Sequence, residues 1–585
     1  MPCDGVVLLA QSAWTEARLV APGSAHTLTD GTPAHALDTV AGLTWRIDTS
    51  TLALEVNAPA SAFVGSTLGP KGPLAVAPRR DPGAMLNYDV SLAHDGRGGP
   101  LTTAASLEAV AFGSFGHVVA SGLVRDDGRR RSFTRLDTYW RYDMPEDMQT
   151  LVLGDTVGTG GGWSRPVRYG GIRWGRDFGM RPGFVTMPQL SLAGQAALPS
   201  TVDVMVNNAL RSSQPVAPGP FDLPGVPVVT GAGEVSLVVR DLLGRETVVR
   251  QSYYASPRLL TPGLVDFSAE AGWLRTGYGL DSHYGDAFAA GTVRAGLTPS
   301  LTGEARIEVQ PDRRAAGVDV ATLLGKWGVG RAALAASSGS SQGRREQGQL
   351  LQLGVERSTA TAGGTLQYEY ATRGFQPFGE ATGHASAARR TRESWLASVG
   401  GPVLGQLTGA LSYVQQSRWD GERVASLGLF LNAPLPAGAS IGLSLSKRLG
   451  GDGAWSAGVN LMLPLDNGVH TAARVDRQSD GRMVGSAAAA LNPPAGNGLG
   501  WRVEASTQAS QRVRGGLQVN TGSAELAADA VANAQGQVAV RAGARGTVGV
   551  MASVPFAARP VGEGSFAMVE VEGVAGVPVM RSNQV

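Results

Sequence analysis

Strict alternation of polar and apolar positions governs this chain from Leu86 onward. In residues 132–143, Phe133, Arg135, Asp137, Tyr139, Arg141 and Asp143 form one mostly charged face. Ser132, Thr134, Leu136, Thr138, Trp140 and Tyr142 form the other, largely apolar and ending in aromatics. A period of two belongs to a β-strand with one face in water and one in an apolar phase. The theme returns in Leu366, Tyr368 and Tyr370, in Ile441, Leu443 and Leu445, and in Trp455, Ala457, Val459, Leu461 and Leu463. No helical period of useful length competes with it, so the chain reads as all-β. Earlier, residues 42–48 and 52–56 read as two short strands around a polar turn, and Pro70-Lys71-Gly72-Pro73 as linker.

The pattern breaks once, from residue 188 to 257, where a proline-marked block of short strands contains Pro218-Gly219-Pro220-Phe221. Pro218 to Phe221 is expected to fix the strand order of the block through a turn, with Phe221 in its small core. Wall-like sequence on either side, 83–187 and 258–560, amounts to roughly 400 residues; at about 17 per strand and turn it holds about 24 antiparallel strands. A barrel of that width leaves a lumen that side chains cannot fill. A block folded between neighbouring wall strands is expected to stand in the lumen and close it.

Composition agrees with a membrane barrel. Charged residues are 17%, hydrophobic ones 43%, and mean hydropathy is −0.02. Barrel strands alternate, so their average hydropathy stays near zero, and no window approaches the apolar run of a membrane helix. The 81 glycines show no collagen period and fit tight reversals and close backbone approaches. A net charge of +2 gives no footprint for nucleic acid. The single Cys3 excludes an internal disulfide and Cys-x-x-Cys zinc sites.

Catalytic signals are weak. Gly438-Ala439-Ser440-Ile441-Gly442 has the serine-hydrolase spacing but lies in a strand pattern rather than a strand–turn–helix. Gly158-Thr159-Gly160-Gly161-Gly162 lacks the Lys-Ser/Thr of a phosphate loop and reads as a flexible connection. The seven histidines form no ligand set. The expectation is no enzyme, no cofactor and no metal.

Leu86-Asn87-Tyr88-Asp89, Gly154-Asp155 with Gly170-Gly171, and Pro218-Gly219-Pro220-Phe221 together resemble the outer-membrane ushers of the chaperone–usher pilus pathway. Leu86-Asn87-Tyr88-Asp89 is similar to the opening wall strand. Gly154-Asp155, then Gly170-Gly171, are similar to the family's barrel signature. Pro218, Gly219, Pro220 and Phe221 mark its plug, and residues 253–260 the return to the wall. The resemblance implies a 24-stranded transmembrane barrel with a small β-sandwich plug inserted between wall strands. It divides the chain into 1–80, part of an N-terminal periplasmic domain; 83–187, barrel; 188–257, plug; 258–560, barrel; and 561–585, the start of a C-terminal periplasmic domain. It further implies periplasmic chaperone–pilin subunit complexes and pilus subunits as partners, outer-membrane lipid around the wall, and a homodimer as an open option. No signal peptide is visible at Met1, and both ends read as truncated, so weak capture of chaperone–subunit complexes is expected. The alternatives are a large plugged porin for small solutes, a non-functional usher fragment, and a soluble glycine-rich β-protein.

Overall fold

The computed structural model describes residues 6–68, 80–226, 228–341, 344–379, 389–507, 511–562, 564–569, 571 and 573. The linker expected at Pro70 to Pro73 and residues 574–585 of the C-terminal stretch lie outside them.

Among the described residues, 24 antiparallel strands close into one barrel. The first, Gly83–His94, pairs with the last, Val538–Met551, from Val540 opposite His94 to Met551 opposite Gly83. Closure of the ring removes every unpaired edge, which is what backbone amides require in hydrocarbon. The two faces differ as alternation dictates. In strands Leu301–Gln310 and Arg313–Leu323, Ile307, Val309, Val318 and Val320 are exposed on the outside, whereas Thr302, Arg306, Glu308 and Asp319 are buried on the inside. An apolar exterior over a polar interior is the arrangement of a membrane pore.

Strands alternate in direction, so turns fall at two ends. The end where Gly83 enters the wall also carries residues 177–226, 228–264 and 359–362; the opposite end carries 158–167, 372–379 and 389–390. After Met551 the chain reverses into Val554–Ala558, which pairs again with the last wall strand. The Val561 N–H then donates to Thr547 Oγ1 at 2.9 Å, and Asn87 Nδ2 donates to the Val561 carbonyl at 3.2 Å. Phe566 follows, edge-on to Phe112; the described residues from 561 on carry no strand.

Wall strand Arg168–Arg176 pairs directly with Val265–Thr276, and the block of residues between them folds as two small sheets. One sheet orders Ala209–Val216, Ser200–Val206, Gly231–Asp241 and Glu246–Ala255. The other joins Leu190–Ala196 and Gly219–Val226 to an outside strand, Ser66–Thr67. Their inner faces meet in a core that includes Leu192, Val204, Phe221, Leu223, Val235 and Leu237.

Residues 6–68 form a separate small domain around Trp14, with helix Gln11–Glu16 and the hairpin Thr44–Asp48 and Ala53–Asn57. The hairpin occupies the two short strands read from the sequence. The six-residue helix has no periodic signal to betray it, being held by burial of Trp14 rather than by propensity.

Candidate functional site: an insert at the rim of a pore

Each residue of Pro218-Gly219-Pro220-Phe221 can be placed physically. Gly219 adopts φ +130°, and a Cβ there would lie 2.9 Å from Cβ of Phe63 in the N-terminal domain. Glycine is required on both counts. The Pro220 carbonyl lies 3.7 Å from where a Cβ would stand on Gly65. Phe221 is 1% exposed and fills the centre of the insert, with Gly194 leaving room for its ring. Pro218 stands just before the strand Gly219–Val226, where the chain turns back from Val216. The motif therefore faces two ways: Phe221 into the core of the insert, Gly219 and Pro220 toward residues 63–65.

The insert meets the wall at its rim. Among the described residues, its hydrogen bonds to wall strands go to Arg294, Glu356 and Ser358. Tyr254 Oη accepts from the Ser358 N–H at 3.1 Å and donates to the Glu356 carbonyl at 3.4 Å. Ala232 forms a parallel bridge to Thr359. Arg258 follows with an Nε–Glu356 Oε2 contact of 2.6 Å, and Leu259 and Leu260 bury against the wall, Leu259 against Ala321 and Val329. The far tip of the four-stranded sheet, at Leu242 and Leu243, is 75% and 71% exposed. Sequence alone placed this block within the lumen. The contacts put it at the mouth, because pairing with residues 66–67 and anchoring at 356–359 both hold it to that end.

The lumen is narrowed instead from the opposite end. The glycine cluster at 158–162, read above as a flexible connection, is pinned to the inner wall. Thr159 N–H and Oγ1 both donate to Glu270 Oε1 at 2.8 Å, and Arg306 Nη1 donates to the Gly160 carbonyl at 2.9 Å. Glycines at 158, 161 and 162 let the backbone approach Glu270, Arg306 and Asp319 more closely than a side chain permits. Trp163 buries with Ala315, Ala333, Ala335, Leu350 and Phe375. Arg165 Nε donates to the Phe378 carbonyl at 2.8 Å, tying this loop to residues 372–379. Glu308 lies between Arg306 at 2.9 Å and Arg313 at 3.0 Å, so the buried carboxylate is matched by guanidinium on both sides. Glu270, Arg306 and Glu308 were indistinguishable in sequence from any wetted inner face.

Gly154, Asp155, Gly170 and Gly171 come together elsewhere, near the loop end of the wall. Asp155 pairs across the sheet with Gly170, on the face shared by the exposed Leu153 and Ile172. This is the outer face. Asp155 Oδ2 accepts from Arg135 Nη1 at 2.5 Å and from the Thr138 N–H at 2.9 Å. Tyr284 Oη donates to Asp155 as well. Gly170 makes room for the Tyr284 ring, whose Cε1 would stand 2.5 Å from a Cβ. Gly171 faces Gly272 across the neighbouring pair with no space for a side chain. The adjoining strands carry register shifts, between Arg135 and Thr138 and between Trp273 and Arg275. One bulge frees the Thr138 amide; the other sets Tyr284 opposite Arg275, so hairpin 276–284 folds back over the wall. Uninterrupted alternation over 132–143 is thus broken at one place, and Asp137 there gathers Arg168 at 2.7 Å and Tyr278 at 2.8 Å.

Comparison with known proteins decides the family. Residues 120–585 match the family model described as outer membrane usher protein. The chain belongs to that family. Among curated ushers and relatives, the F1 capsule-anchoring protein of Yersinia pestis is 25% identical over 230 residues, 38% of this chain and 27% of the relative. The outer membrane usher protein PefC of Salmonella typhimurium is 26% identical over 196 residues, covering 32% and 24%. These alignments span about a quarter of each relative's length. In solved structures, the P pilus usher (PapC) translocation pore matches with a TM-score of 0.52 at 19% identity, over 80% of this chain and 99% of that one. PapC within an E. coli P pilus tip assembly intermediate matches with a TM-score of 0.65 at 20% identity, over 92% and 69%. The usher fold, and with it an outer-membrane location, follows from family and barrel together.

Proposed function

We propose that this usher forms the outer-membrane pore and platform on which pilus subunits, delivered by a periplasmic chaperone, are joined and secreted. The observation that carries the reading is a closed 24-strand wall with a folded insert held at one rim, between strands that pair directly with each other. A pore that wide needs a stopper, and residues 188–257 are the plug. The insert's end of the barrel is then periplasmic, and residues 6–68 belong to an N-terminal periplasmic domain. Subunits are joined by exchange of one strand complement for another, a β-augmentation driven by packing within the fibre. The usher makes and breaks no covalent bond in this scheme and uses no cofactor. Support comes from the family and from the solved assembly of the same fold, which is named as a pilus tip assembly intermediate.

The test is removal of the gene from its own host. Surface fibres should disappear while chaperone–subunit complexes accumulate in the periplasm, and the intact gene should restore both. Unchanged fibres together with reduced uptake of small solutes would favour a porin instead.

A further inference from the structure

We propose that residues 63–68 are a strand latch that holds the plug at the periplasmic mouth, so that the N-terminal domain sets whether the pore is open. The inference rests on the plugged-pore reading above and goes beyond it by naming the contact that decides the plug's position.

Four observations meet in this segment. Ser66 and Thr67 pair in parallel with Phe221 and Asp222, and the Leu68 N–H donates to the Asp222 carbonyl at 2.8 Å. Leu68 is buried among the plug's own core residues, so a side chain from the N-terminal region completes that core. Gly219, at positive φ, is shaped around Phe63. The latch is also fastened at its other end. The Val64 N–H donates to the Arg18 carbonyl at 2.7 Å, Leu19 bridges Phe63, and Arg18 Nη2 donates to Ser66 Oγ at 2.7 Å. A continuous set of contacts therefore runs from the N-terminal domain into the plug. Insertion of the plug into the lumen requires this strand to unpair and Leu68 to leave the core. While the latch is made, the lumen is free of the plug.

Thr67 and Asp222 are exposed partners in the parallel pair, and such neighbours stand about 4.8 Å apart, within reach of a disulfide. In a Cys3→Ser background, the full chain carrying Thr67→Cys and Asp222→Cys is reconstituted in planar bilayers beside a chain lacking the plug. Spontaneous oxidation should lock the latch and raise the open fraction at least tenfold over the reduced protein, to the level of the plugless chain. Leu68→Asp should shift the open fraction the other way. A pair that does not oxidise, or a fully cross-linked protein that opens no more than the reduced one, overturns the latch while leaving the pore reading intact. If the plugless chain itself forms no wide channel, the pore reading fails, and the latch with it.

Discussion

Arg275 Nη1 lies 3.1 Å from Asp155 Oδ1, with both side chains closed to solvent, on the outer face of the wall. Asp155 lies in the wall strand Gln149–Val157, and Arg275 comes from a strand more than a hundred residues later. The pair fastens hairpin 276–284 against the strands it covers. Asp155→Ala would leave Arg275 with Asp137, at 3.3 Å, as its remaining ion-pair partner, beside the Arg135 carbonyl at 2.9 Å. Breaking a buried pair in this way costs about 3 kcal/mol. Gel mobility after graded heating should show the variant unfolding at lower temperature. Asp480→Ala, which breaks an exposed pair with Arg482, should leave the profile nearly unchanged.

Residues Phe221 and Gly219 of the insert give a graded series. Phe221→Ala empties the centre of the insert and should cost about 3–5 kcal/mol. Gly219→Ala meets both the positive φ and Phe63, and should cost at least about 1 kcal/mol. Hydrogen exchange at Leu192, Val204 and Leu237 should accelerate in that order of severity, with wall amides unaffected.

Lipid contact can be checked on adjacent residues. Leu445 faces outward and Ser444 inward in strand Ser440–Leu449. Leu445→Arg should destabilise folding into bilayers by about 2–4 kcal/mol, and Ser444→Arg by far less. Equal effects would mean that the outer face does not meet lipid.

Acid should loosen the N-terminal hairpin. The Ser50 hydroxyl and N–H, at 2.6 and 2.8 Å, hold the Asp48 carboxyl below the usual aspartate range, and the Thr51 hydroxyl adds to them. A depressed carboxyl stabilises the fold above its unfolded value, about 3.9, and that contribution is lost as pH falls through the lower folded value. Protection of the Ser50 amide should therefore fall below about pH 4. Asp48→Asn should remove this dependence.

The wall was legible because alternation is a local property: Ile441, Leu443 and Leu445 declare an outer face without knowledge of their neighbours. The insert was legible because prolines and glycines interrupt that rhythm. What alternation cannot report is a change of phase, so the bulges beside Asp137 and Tyr284 stayed hidden. Nor can it tell a wetted inner carboxylate from Glu308, which is buried by a loop more than a hundred residues earlier in sequence. The docking of Leu68 into the core of the insert was equally silent, since one leucine among polar residues carries no pattern. Gly154-Asp155 was visible only as a signature; its meaning depends on Tyr284 and Arg275.

Single-channel recording in planar bilayers compares the whole chain with one in which the strands of the insert, Leu190 to Ala255, are replaced by a short connection. A pore stopped by a plug predicts brief or partial openings from the whole chain and a steady, much larger conductance once the plug is gone. Identical conductance from both would contradict it.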